Sequence, residues 1–87
     1  MKLKEGIVVS IIDESDGGVL FDMNSGSYYR INDTMCFIIE YIKENIESTT
    51  NDIVKALCNE YDVDIQTARN DVSDIITEFK NLNLLNE

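Results

Sequence analysis

The chain predicts an α+β domain in which a three-stranded antiparallel sheet precedes three helices. Three observations carry this. Strand-like, β-branched runs separated by turn residues fill residues 6–31. Amphipathic stretches with apolar stripes at helical spacing, each behind a capping residue, fill residues 33–83. The second and third of these are parted by only a few residues around Asp62-Val63-Asp64. That order is the plan of a small winged helix-turn-helix, a fold usually met on DNA. With 87 residues the chain makes one domain, 1–87, with enough length for a single core.

The first strand is Gly6 to Ile12, apolar on both parities except at Ser10, a pattern that suits a strand covered on both faces. Asp13-Glu14-Ser15-Asp16-Gly17-Gly18 ends it with strong turn chemistry and reads as a polar hairpin turn rather than a cation loop. Val19, Leu20 and Phe21 form the second strand. Met23-Asn24-Ser25-Gly26 reverses the chain, with Gly26 free to take positive φ. Ser27-Tyr28-Tyr29-Arg30-Ile31 is the third strand, rich in residues that suit a pleated surface.

Asn32 or Asp33 caps the first helix, whose stripe is Met35, Ile38, Ile39, Ile42 and Ile46. Thr49 and Asp52 have capping-box spacing for the second, with Ile53, Ala56, Leu57 and Tyr61 inward and Val54 and Cys58 beside them. Asp64 caps the third, with Ala68, Val72, Ile75, Phe79 and Leu82 inward. Leu84 and Leu85 follow as an apolar tail that folds back to close the core.

Composition excludes several functions. Without histidine the commonest general base is missing, and so are the Ser-His-Asp and Cys-His arrangements. Paired carboxylates need a cleft that so small a domain rarely supplies. The four glycines have no phosphate-cradling spacing. The chain therefore reads as no enzyme, with no cofactor. Cys36 and Cys58 each sit among apolar neighbours of a helix and read as reduced thiols, and no metal-ligand motif occurs. No run approaches the about 18 apolar residues of a membrane span, and the opening residues do not form a signal peptide, which points to a cytoplasmic protein without membrane contact.

Charge then decides against nucleic acid. The formal net charge is −10. Residues 64–82, where a DNA reader would carry its cations, hold Arg69 and Lys80 against four acidic residues. Residues 32–87 hold four basic and twelve acidic residues. Phosphate neutralisation supplies much of DNA affinity, and here it has the wrong sign. An acyl carrier is also excluded, since no Asp-Ser-Leu occurs and residues 6–31 read as sheet. What remains is the sheet edge. An unpaired strand offers backbone hydrogen bonds to an incoming strand, and pockets beside it supply selectivity.

The run from Gly18 to Thr34, with its apolar strand, turn, Tyr28-Tyr29-Arg30-Ile31-Asn32 strand and cap, resembles the PqqD-like family of leader-recognition domains. Glu60-Tyr61-Asp62-Val63-Asp64, Asp71-Val72 and Leu82-Asn83-Leu84-Leu85 extend the resemblance over residues 6–85. Asn83 stands where the family often has glycine, a mild departure because Asn tolerates the left-handed conformation of a helix C-cap. Ile39-Glu40 stands where a Trp is common.

The resemblance implies a non-catalytic chaperone. The leader of a ribosomally made, post-translationally modified precursor peptide would add as a strand to Ser27, Tyr28, Tyr29, Arg30 and Ile31, beside the third helix. An enzyme in trans, a radical-SAM protein or a leader peptidase, would then act on the core peptide. On the third helix the stripe Arg69, Val72, Ser73, Ile76 and Lys80 is the expected groove wall, with Ile76 as the anchor pocket. Because side chains alternate, Tyr28 and Tyr29 cannot both face the core. The alternative is an acidic protein–protein interaction module using the same edge without a precursor. The open edge also leaves homodimerisation open.

Overall fold

The computed structural model describes residues 1–13 and 17–86, with the side chains of 11–13 excepted. Glu14, Ser15 and Asp16, the centre of the expected polar turn, lie outside the described residues. The element order is β1 (Ile7–Asp13), β2 (Gly17–Asp22), β3 (Ser27–Ile31), α1 (Asp33–Glu44), α2 (Thr50–Glu60) and α3 (Ile65–Asn81). This is the expected class, an antiparallel sheet of order β1-β2-β3 followed by three helices.

Register explains which sheet face is buried. Val9, Leu20 and Tyr29 share one row, and Ile7, Asp22 and Ser27 share the next but one. Ile7, Leu20 and Ile31 are buried, and Leu20 on the central strand is wholly enclosed. The intervening row Val8, Phe21 and Tyr28 points to the opposite face, where Val8 is 44% and Tyr28 71% exposed. β1 is therefore covered on one face over its described side chains rather than on both. An apolar run cannot by itself distinguish those cases.

Each helix starts where a side chain replaces a missing backbone partner. Asn32 accepts from the Met35 N–H at 2.8 Å. Thr49 and Asp52 form a reciprocal capping box, each side chain accepting from the other's backbone N–H. Asp64 accepts from the N–H groups of Gln66 and Thr67 and from the Thr67 hydroxyl. Such caps are worth about 1 kcal/mol each.

Two inward stripes differ from expectation. α1 ends at Glu44, so Ile46 lies in the following turn and is 57% exposed. On α3 the buried residues are Ala68, Val72, Ile76 and Phe79, with Ile75 only partly buried. The assignment of Ile75 to the core and Ile76 to an outer pocket is reversed. Both spacings are helical, so periodicity allows either rotation of the helix.

The chain ends do close the core. Asn83 takes φ of +62°, the Leu84 N–H donates to the Phe79 carbonyl, and the Asn83 N–H donates to the Lys80 carbonyl. This paired pattern is a Schellman cap, with Asn in the usual glycine position. It turns Leu84 and Leu85 inward, where both are buried. Leu85 bridges Leu3, and backbone bonds from Lys4 to Leu84 and from Asn86 to Lys2 tie the two ends together.

Candidate functional site

β3 hydrogen-bonds to β2 alone among the described strands, so its other edge faces α3 without a strand partner. Its side chains alternate: Ser27 and Tyr29 are half-buried and Ile31 is buried, while Tyr28 and Arg30 are exposed. Of the two tyrosines, Tyr29 lies on the helix side. Tyr28 lies on the outer face against Phe21, with ring centroids 4.7 Å apart. That contact holds the outer side of β3 to β2, since aromatic cross-strand pairs contribute beyond the area they cover.

Between β3 and the end of α3 is a cavity of about 280 Å³. Its apolar lining comes from Leu20, Ile31, Met35, Phe79, Leu82 and Leu84, and Glu78 stands on its α3 wall. A second depression adjoins it at the β2–β3 turn, sharing Tyr29 and Leu82 and adding Lys2, Lys4 and Asn83. A third lies past the other end of β3, between Asn32 and Thr34 on one side and Asp71, Asp74 and Ile75 on the other. The three follow β3 and α3 in opposite sequence directions and form one seam.

The side chains on the α3 wall are thus Asp71, Ile75, Glu78 and Leu82, spaced i, i+4, i+7, i+11, with Asp74 beside them. They are not the expected set. Arg69, Val72, Ser73, Ile76 and Lys80 line none of these three depressions. Val72 and Ile76 belong to the core, and Arg69, Ser73 and Lys80 are exposed on the other flank of the core stripe. Ala68, Val72 and Phe79 stay inward as expected, so the helix differs from the expected orientation by only about 40°, and the depressions lie on the opposite flank of the core stripe. The expected β3 residues line these depressions, and the expected α3 residues do not. A signal for that stripe existed in the sequence. Leu82 directly precedes the left-handed Asn83, so it belongs to the helix end that the tail folds over.

The turn that sets β3 in place is built around Asp22. Its carboxylate accepts from the Asn24 N–H at 2.9 Å and from the Ser25 hydroxyl at 3.0 Å, and its carbonyl accepts from the Gly26 N–H. Burial pushes the Asp22 carboxyl up, but the hydrogen bonds from Asn24 and Ser25 together outweigh it and hold the group below the ordinary value of 3.8. Gly26 has φ of +75°, as the turn requires. At the other end, Gly17 with φ of +78° packs directly under the Ile31–Asn32 backbone, where a Cβ would collide with the Ile31 carbonyl. This close approach joins β2 to the point where β3 becomes α1.

Cys36 and Cys58 are free thiols, and burial, with Asp33 and Glu40 nearby, pushes the Cys36 thiol up, away from the reactive thiolate. Among the described residues no three His, Cys, Asp or Glu side chains gather as for a metal ion, and no helix is long and apolar enough to cross a membrane.

The fold has counterparts among solved structures. The solved structure of TbiB1 in complex with the TbiA(beta) leader peptide is 30% identical to this chain, covering 98% of it and 94% of that chain with a TM-score of 0.81. A lasso peptide synthetase B1 complexed with the leader peptide is 29% identical, covering 95% of this chain and 93% of its own with a TM-score of 0.76. None of the curated proteins matches. The family model described as coenzyme PQQ synthesis protein D matches residues 17–85, most of the chain's length. Because that match spans well over half of the chain, the chain belongs to the PqqD family.

Proposed function

We propose that this chain binds the leader of a ribosomally made precursor peptide by strand addition to β3 and presents the peptide to a separate modifying enzyme or leader peptidase. It acts as a binding adaptor with no reaction of its own. The observation that carries the reading is the unpaired edge of β3 running beside an apolar cavity and the α3 wall. Backbone bonds to the edge supply sequence-tolerant affinity, and the cavity supplies selectivity for side chains on one face of the added strand. Both neighbouring structures, at 30% and 29% identity, are complexes with leader peptides, which supports the same use of this fold here. The enzyme in trans, such as a radical-SAM protein or a leader peptidase, follows from the adaptor role.

The binding surface comprises Ser27, Tyr28, Tyr29, Arg30 and Ile31 with Ile75, Glu78 and Leu82, in place of the Arg69-to-Lys80 stripe. The test is calorimetric titration with the leader encoded by the short reading frame beside this gene. Saturable one-to-one binding that a Leu82→Asp variant loses, while retaining its fold, is the expected result. Heat-silent mixing confirmed by unchanged amide resonances at saturating leader would overturn the reading.

A further inference from the structure

The three depressions along the seam differ in charge. At the α1 end, Asp71 and Asp74 supply two carboxylates and no cation. The middle is apolar apart from Glu78 and Arg30, and Arg30 alternates toward the outer face. At the turn end, Lys2 and Lys4 meet Glu5 and Asp22. Asp22 stays ionised while it accepts from Asn24 and Ser25, so this end carries two ammonium groups and two carboxylates and is formally balanced, in contrast to the purely acidic α1 end.

The distances separate these ends. From Asp71 to Leu82 the helix rises about 16 Å, and positions i and i+4 of an extended strand lie about 13 Å apart, a difference that long charged side chains make up. At physiological ionic strength charges are screened beyond about 8 Å, so each end acts on its own part of a bound strand. Every pairing in this sheet is antiparallel, and antiparallel pairs are the slightly more stable kind. A strand added antiparallel to β3 would have its N-terminal end beside Asp71 and Asp74.

Resting on the leader-binding reading of this seam, we propose that it selects a segment with the order basic, apolar, acidic at positions i, i+2 and i+4. The basic side chain sits at Asp71 and Asp74, the apolar one over the central cavity, and the acidic one at Lys2 and Lys4. A domain of net charge −10 would favour any basic peptide. The distinguishing element is the order of charges, including an acid at the C-terminal end.

The test uses two acetylated, amidated nonapeptides of identical composition, one centred on Lys-Thr-Leu-Thr-Glu and the other on Glu-Thr-Leu-Thr-Lys. Each is titrated into the isotope-labelled full chain and followed by amide shifts. The first should bind about threefold to fivefold more tightly, since at the α1 end a surface ion pair changes from attraction to repulsion while the turn end is balanced. The preference should shrink as salt rises. A variant carrying Asp71→Lys, Asp74→Lys, Lys2→Glu and Lys4→Glu should reverse it. If that variant does not fold, the order preference and its salt dependence in the native chain decide. Equal binding, the opposite preference, or no shifts with either peptide overturns the charge proposal. The natural leader, titrated in parallel, separates the two claims. If it shifts β3 while the peptides show no order preference, only the charge proposal fails, whereas if it leaves β3 unmoved, the leader-binding reading fails first.

Discussion

The sheet has two outer strands, and their free edges are not equivalent. β3 keeps regular register with β2 from Ser27 to Ile31. β1 loses register between Ile11 and Asp13. An irregularity of this kind twists an edge strand and discourages further pairing. β3 contributes to the depressions along α3, whereas none of the described β1 side chains lines any of them. The comparison teaches that unpaired backbone alone does not make a recognition edge. What distinguishes β3 is regular spacing together with α3 side chains that line depressions beside it.

The largest effect should come from breaking the support of that edge. Gly17→Ala places a Cβ against the Ile31 carbonyl and within 2.8 Å of the Asn32 backbone, in a left-handed conformation. Urea unfolding should show a loss on the order of 3 kcal/mol or more. Gly26→Ala has similar φ but open space around it, so it should lose only about 1 kcal/mol. Equal losses would show that the close approach at Gly17 does not hold β3.

A binding comparison between the two flanks of α3 comes next. Leu82→Asp or Ile75→Asp should weaken leader affinity tenfold or more, about 1.4 kcal/mol, by placing a charge in the seam. Arg69→Ala and Ser73→Ala, on the other flank, should change it by less than about twofold. Calorimetry of the four variants would decide which stripe forms the wall.

Asn83 sharpens the account of how that wall ends. Asn83→Ala forces a Cβ-bearing side chain without a local hydrogen-bonding group into φ of +62° and should cost about 1 kcal/mol. Asn83→Gly should match or exceed the native stability in thermal melts.

The smallest effect is on acid stability. Asp52 is held below the ordinary carboxyl value by hydrogen bonds from Thr49, and Asp64 by those from Thr67 and Gln66. Asp22 is lowered too, against the upward push of burial. Folded values below unfolded ones mean that the stabilisation is fully present above the unfolded value of 3.8 and is lost as pH falls through the lower folded values. Asp64→Asn should therefore reduce the drop in urea midpoint between about pH 5 and about pH 3.

How much of this was legible in the sequence depended on the chemistry involved. The caps at Asn32, Thr49 and Asp64, and the left-handed Asn83, were readable because each rests on a few adjacent residues. β3 was readable because Tyr28-Tyr29-Arg30-Ile31 suits a strand and its alternation splits the tyrosines. The rotation of α3 was not. Ile75 and Ile76 are adjacent and equally apolar, and only packing against the rest of the core turns Ile76 inward. That single choice moved the expected wall to Arg69 and Lys80. The place of Lys2 and Lys4 beside the β2–β3 turn was not legible for a related reason. They reach the seam because Leu3 bridges Leu85, a pairing 82 residues apart in the chain that no local pattern announces.

Hydrogen exchange of the backbone amides, read residue by residue with and without the precursor's leader, addresses the difference between the two edges most directly. The account predicts slowed exchange within residues 27–31 on leader binding, with residues 7–13 unchanged. Slowed exchange along β1, or bound leader with β3 exchanging as before, would contradict it.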